Sequence, residues 1–336
     1  MNIIKDTIQA FQLGDSITFE NLRMFPLVDQ VPLLARKRET TPYCTLDEAL
    51  AAGAAKVTEV SHSGSVPDLM FLNEGDIPVL LLDGEELVGA KQNRVLNLSI
   101  LAPANEAITI PVSCVEQGRW SYGFGEFRSE ERIQFARGRS GKAASVTRAM
   151  ASGAPPRSDQ SEVWHNISRK SARLRVNSPT ESMSDIYEYK KRSIEAAVEA
   201  FSSVDQQVGA VFGIDDAVAG IDLFDSETTF AKMLPKLVRS YALDAIETPR
   251  RQWKTTSVTE GQRFISSLCA VEVQKFKAIG LGEDIRLKSQ KIAGGALANE
   301  DRMVHLGAFP LAKDDSESWT SPRSRIMRSS HRRRPH

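Results

Sequence analysis

Apolar residues along this chain recur with two periods that alternate from one end to the other. Residues 16–28 alternate in part. Segments 57–60, 69–72, 78–82, 87–89, 94–100 and 107–115 are short apolar or alternating runs broken by turn residues, the pattern of strands. A short helix is predicted from Thr45, because Thr45 and Glu48 have capping-box spacing. The period then lengthens. Helices are predicted over 130–150, 160–174 and 184–201, with a hairpin of 208–214 and 217–223 after them. Phe230, Met233, Leu234, Leu237, Val238, Tyr241, Ala242, Ala245 and Ile246 form one helical stripe. Pro235 interrupts the stripe and predicts a short helix followed by a longer one. Thr259 and Gln262 predict a helix over 259–279 that stops at Gly280. Strands return at 285–289, 295–299 and 303–309.

Strand patterns at both ends with helices between them predict an α+β fold. Its antiparallel β-rich core would be built from N-terminal strands and late hairpins, with helices packed on one side. Because the β segments mix both ends, one domain over 10–311 is expected rather than two. Three strings, LLLDGEELVGA, VFGIDDAVAGI and ALANEDRMVHLGA, share an apolar arm, an acidic turn and a second short arm reaching a glycine. They predict three hairpins, turning at Asp83-Gly84, Asp215-Asp216 and Glu300-Asp301.

Charge and composition narrow the function classes. The 336 residues are 41% hydrophobic and 26% charged, ordinary for a globular chain. No run is long enough to span a bilayer and residues 1–14 lack a secretory pattern, so a cytoplasmic location is expected. Cys44, Cys114 and Cys269 and the five histidines are scattered, so no disulfide framework and no metal site is expected. The formal charge is zero, but residues 323–334 hold six arginines. Without them 37 basic residues face 43 acidic ones. The tail, 312–336, is read as a disordered basic extension, and nucleic acid as a partner is expected only through it. Residues 128–175 carry eleven Lys/Arg against four Asp/Glu. Two readings of that stretch stand side by side: a solvated helical surface, or a basic lid over an anionic ligand. Its Gly138–Gly141 portion reads as a loop break.

The densest chemistry lies between Leu81 and Trp120. Glu85 and Glu86 adjoin a tight turn on a strand, so alternation points them to opposite faces. These two and Glu116 are the candidate acid–base groups. Lys91, Gln92, Asn93 and Arg94, with Gln117, Arg119 and Trp120, are the candidate ligand contacts. Cations and amides suit a carboxylate, a phosphate or a base edge, and an indole suits stacking. The same residues also suit a polar loop rim, an internal salt bridge and a core anchor. Cys114 has no histidine nearby in sequence and reads as a small buried residue. GxSxG, P-loop, kinase and GxGxxG patterns are absent.

LLLDGEELVGAKQNRVLN, IPVSCVEQGRW, QSEVW at 160–164, VGAVFGIDDAVAGIDLFDSETTFAKMLPKLVRSYALDA and RMVHLGAFP together resemble a bacterial family of uncharacterised proteins. It is called the ARG and rhodanese-phosphatase-superfamily-associated protein domain, and the resemblance covers roughly residues 10–311. The family's name records association with ADP-ribosylglycohydrolase and phosphatase-type proteins. It implies a phosphorylated ligand of the ADP-ribose or NAD-derived kind, and it carries over no catalytic residue and no cofactor. Two function classes follow: a protein that binds or processes such a nucleotide, and a non-catalytic sensing or assembly protein, a homo-oligomer included.

Overall fold

The computed structural model describes residues 3–29, 42–61, 65–119, 125–248 and 255–311. Trp120 and the 312–336 tail lie outside the described residues. The fold is α+β, with antiparallel pairing almost throughout.

A nine-stranded sheet joins the two ends of the chain. It runs β1 (Phe11–Leu13), β3 (Leu22–Asp29), β13 (Gln207–Ile214), β14 (Ala217–Phe224), β18 (Arg302–Pro310), β17 (Ile292–Asn299), β16 (Glu283–Lys288) and β15 (Glu272–Lys277), with β2 (Ile17–Phe19) paired to β3. The N-terminal strand β3 lies directly against the hairpin β13–β14, as the expected core requires. Strict alternation sends Phe212 and Phe224 to one face and Val211 and Leu223 to the other. The long helices α3 (Ala136–Ala151) and α6 (Glu227–Glu247) cover the first face. The short helices α1 (Ile3–Ile8) and α7 (Val258–Cys269) pack in the cluster on the second.

Strands β5 (Ala55–Glu59), β6 (Asp68–Asn73), β8 (Glu85–Gly89), β9 (Arg94–Leu96), β11 (Glu106–Cys114) and β12 (Phe127–Ile133) close into a barrel. Each contributes to one apolar cluster: Val57, Phe71, Leu87, Leu96, Val112 and Phe127. A three-stranded sheet of β4 (Cys44–Thr45), β7 (Val79–Leu81) and β10 (Ile100–Ala102) borders it. The short helix α2 (Leu46–Ala51) follows β4, with Thr45 and Glu48 forming its capping box. Helix α6 touches both β12 of the barrel and β13 of the large sheet. Helix α4 (Gln160–Leu174) leans on β11, and α5 (Met183–Ala200) packs along α6. Among the described residues no helix is long and apolar enough to cross a membrane.

Several expected elements are redrawn. Residues 127–133 are strand and the helix begins at Ala136. The Gly138–Gly141 break is helical. A Cβ at Gly138 would stand 2.9 Å from the Gln134 amide, and one at Gly141 2.9 Å from a Glu162 oxygen, so the glycines serve close packing within a helix. Helix α6 runs unbroken through Pro235, because buried Met233, Leu234, Leu237, Val238 and Tyr241 hold it on both sides of the lost N–H. Helix α7 is capped by Ser257 with Glu260 and ends at Cys269, and the strand β15 follows where a longer helix was expected. The Asp215-Asp216 and Glu300-Asp301 turns close true hairpins, β13–β14 and β17–β18. The Asp83-Gly84 turn does not. Its arms belong to different sheets, because β7 pairs with β10 and β4 while β8 pairs with β9 and β12.

Candidate functional site

The segment singled out in the sequence folds into a buried polar knot. Strand β9 pairs with β11, placing Arg94 opposite Cys114, and β8 pairs with β9, placing Glu86 opposite Val95 and Leu87 opposite Arg94. The 81–97 and 114–119 segments are therefore adjacent. Glu116 is the hub of the knot. One oxygen accepts from Arg119 Nε at 2.8 Å and from the Asn93 amide N–H at 3.3 Å; the other accepts from the Thr180 hydroxyl at 3.0 Å. Arg119 also donates to Asn93 Oδ1 and to the Ala90 carbonyl. Gln92 donates to the Glu116 carbonyl and accepts from Arg94 Nη1 at 3.2 Å. Lys91, Gln92, Asn93 and Arg94 are all buried, and Gln117 is exposed. Most of these groups are occupied with one another, so the knot fastens the β8–β9 hairpin to the chain after β11.

Glu85 and Glu86 do point to opposite faces, but neither is solvated. Glu85 is fully buried, accepts from Lys236 Nζ and the Leu82 N–H at 2.7 Å each, and shares Lys236 with Asp47. Glu86 is fully buried between Arg132, at 2.5 Å, and the Ser184 hydroxyl, at 2.8 Å. Burial raises the pKa of both carboxyls more than Lys236 and Arg132 lower it.

A second network joins the barrel to the large sheet. Arg139 of α3 is fully buried and grips Asp222 of β14 through two nitrogens, at 2.6 and 3.2 Å. Asp222 also accepts from Tyr241 at 2.8 Å and lies 3.3 Å from His305 Nε2. The other ring nitrogen of His305 is 2.9 Å from Ser99 Oγ, which accepts from the Asp83 N–H. Asp83 in turn pairs with Lys142, at 2.7 Å. Burial would raise Asp222, but Arg139 and the His305 hydrogen bond outweigh it and hold the carboxyl below the ordinary range. Burial pushes Lys142 down. The sequence signal for this network was a single polar residue inside each of two apolar runs, GIDLF and MVHLG.

An open concavity lies elsewhere, between the start of α3 and the second half of α4. It is a cavity of about 560 Å³. Arg137, Arg169, Lys170 and Arg173 line it from the helices; Asp215 and Asp216 come from the β13–β14 turn; Asp244 and Glu247 lie at the end of α6. Lys170 is buried and bonds both Asp244, at 2.5 Å, and Glu247. Glu247 also takes Arg173 at 2.8 Å and stands 4.0 Å from Arg137. Burial raises the Glu247 pKa, but Lys170 and Arg173 draw it below the ordinary carboxylate value. Arg169 is exposed, without an ion-pair partner among the described residues. Among the described residues, none of the sequence-derived candidates lines this cavity; its cations come instead from the basic 128–175 stretch. Among the described residues no cluster of His, Cys, Asp or Glu could hold a metal.

No curated protein and no solved structure matches the chain. A family model matches residues 10–309 of the chain. The chain belongs to the ARG and Rhodanese-Phosphatase-superfamily-associated Protein domain family (ARPP-1).

Proposed function

We propose that the cavity between α3, α4, the end of α6 and the β13–β14 turn binds a phosphorylated, hydroxyl-bearing small molecule of the ADP-ribose or NAD-derived class. The observation that carries this reading is the division of charge across the cavity. On the helix side Arg137, Lys170 and Arg173 share two contacting carboxylates, Asp244 and Glu247, and Arg169 contacts neither, which leaves that wall positive. Arginine heads suit phosphate oxygens, because the guanidinium offers a planar fork of donors. Asp215 and Asp216 face them from the turn, where carboxylates accept from sugar hydroxyls. A volume of about 560 Å³ falls within the range of small-molecule sites. Glu85, Glu86 and Glu116 do not line the cavity, so the reading is binding rather than turnover by those carboxylates.

Calorimetry against ADP-ribose, NAD, AMP and inorganic phosphate tests it. Ligand at ~100 times its dissociation constant should stabilise the protein by about 2.7 kcal/mol. Arg169→Ala and Arg173→Ala should weaken binding, and salt should weaken it too, because the rim is solvated. Arg157→Ala, an exposed arginine paired with Asp68 on the barrel, should not. Absence of binding by any of the four to a folded protein removes this reading and leaves sensing of another ligand or assembly, which sedimentation would measure.

A further inference from the structure

Arg94 is the member of the polar knot that is not closed off. Its side chain is fully buried. Nη1 donates to Gln92 Oε1 and the Asn93 carbonyl. Nε and Nη2 have no hydrogen-bond partner. Those two nitrogens form the edge that donates two parallel hydrogen bonds to a planar oxyanion. Leaving both unmade in a buried position is costly, since a buried charged donor without a partner has lost its water for nothing.

The surroundings complete the picture. Arg94 pairs across the ladder with Leu87 and Cys114, on the barrel-facing side of the strands. Glu59 closes β5, whose Leu69 partner on β6 pairs in turn with Ile110 of β11, so Glu59 and Cys114 sit toward one end of the barrel. Both oxygens of Glu59 are buried and without a hydrogen-bond partner, and Glu59 is near enough for its charge to act on Arg94. The two side chains form no direct ion pair. Trp164 of α4 brings its indole N–H to the Cys114 sulfur. One end of the barrel therefore gathers a two-donor edge and a two-acceptor carboxylate.

We propose that this barrel mouth is a second ligand site, for a small carboxylate that also carries a hydrogen-bond donor: a two-carbon amino or hydroxy acid. The carboxylate sits on the Nε–Nη2 edge of Arg94 and the ammonium or hydroxyl on Glu59. An amino-acid zwitterion answers both charges at once, so neither remains desolvated and unpaired. Size follows from the barrel. A barrel of eight strands has an interior just wide enough to be filled by side chains or to hold one small ligand, and six strands enclose less. Leu87, Leu96, Val112 and Phe127 already fill this one. The site is separate from the Arg169 cavity and does not rest on it.

The test is a titration of glycine, glycolate and acetate into the full-length protein, followed by calorimetry and by the melting temperature. Glycine or glycolate should bind at least about tenfold more tightly than acetate, which lacks the donor. Glu59→Gln should erase the preference for glycine over acetate, and Arg94→Lys should lose binding, because a point charge cannot replace the fork. Arg169→Ala should change nothing here. The proposal fails if the wild type binds none of the three, if acetate binds as well as glycine, or if Arg94→Lys binds like the wild type. The wild-type titration decides the matter even where a variant does not fold.

Discussion

Asp222 shows how much one carboxylate can hold when it is wholly inside. It bonds Arg139 twice, Tyr241 and His305, and Gly307 opposite it in register leaves the room that Arg139 needs: a Cβ there would stand 3.3 Å from the guanidinium. Replacing Asp222 by Asn keeps the shape and strands a buried guanidinium. Loss of one partner of a buried pair costs about 3–5 kcal/mol. We expect Asp222→Asn to lower unfolding free energy by that order in denaturant titration, and Glu272→Gln, whose pair with Lys288 is exposed on both sides, to change it hardly at all. An equal, small effect of both would show that Asp222 is not the anchor. Glu85 gives the opposite sign in pH. Its folded pKa is raised, so at pH between the unfolded value, about 4.3, and the folded one the native state binds more protons. The stability of the wild type relative to Glu85→Gln should therefore be highest at acid pH and fall as pH rises through that window. A difference that grows with pH would contradict the direction assigned to Glu85. Alternation made the opposite facing of Glu85 and Glu86 legible in the sequence. Their burial was not, because Lys236 and Arg132, which make it tolerable, arrive from residues 151 and 46 positions away.

At the scale of elements, the strands and hairpins at both ends of the chain were legible because alternation is a local property. Helix α4 and helix α5 were legible for the same reason, from their 3.6-residue stripes. The failures have local causes too. Ser257 and Glu260 form the observed capping box of α7, while Thr259 and Gln262 offer a competing one two residues later. Val271, Val273 and Phe276 then continue an apolar pattern in extended form, and no single chain signal separates that from more helix. The Asp83-Gly84 turn was read correctly as a turn and wrongly as a hairpin. A turn residue fixes a reversal, whereas the partner strand is fixed by what lies across the fold. Gly84 has φ +86°, and a Cβ there would stand 2.8 Å from Ile133 Cγ2. Gly84→Ala should therefore cost at least about 1 kcal/mol, through positive φ and through the clash together, read as a lower denaturation midpoint. A neutral result would mean that β12 gives way easily at Ile133.

The whole molecule is where sequence reasoning was thinnest. Closure of six strands into a barrel depends on pairings such as Cys114 with Arg94 and Phe127 with both Val57 and Gly89, which no local pattern encodes. The cavity likewise assembles α3, α4, the end of α6 and a turn from distant parts of the chain, so its basic wall was visible as composition and its acidic wall was not. The same long-range logic predicts how the chain unfolds. Asp83 and Ser99 belong to the barrel side, Asp222 and His305 to the large sheet, and the fully buried Arg139 and Lys142 of α3 tie the two. Helix α6 is shared by both. Opening either half alone would expose those charges unpaired, which costs several kcal/mol. We therefore expect one cooperative transition, with equal calorimetric and van't Hoff enthalpies, consistent with a single domain over residues 10–311. Asp83→Asn, which removes the carboxylate facing Lys142 and Arg139, should broaden that transition or split it while leaving secondary structure intact by circular dichroism. Two separate transitions in the wild type would mean that barrel and sheet are independent domains and that the buried network joins them without coupling them.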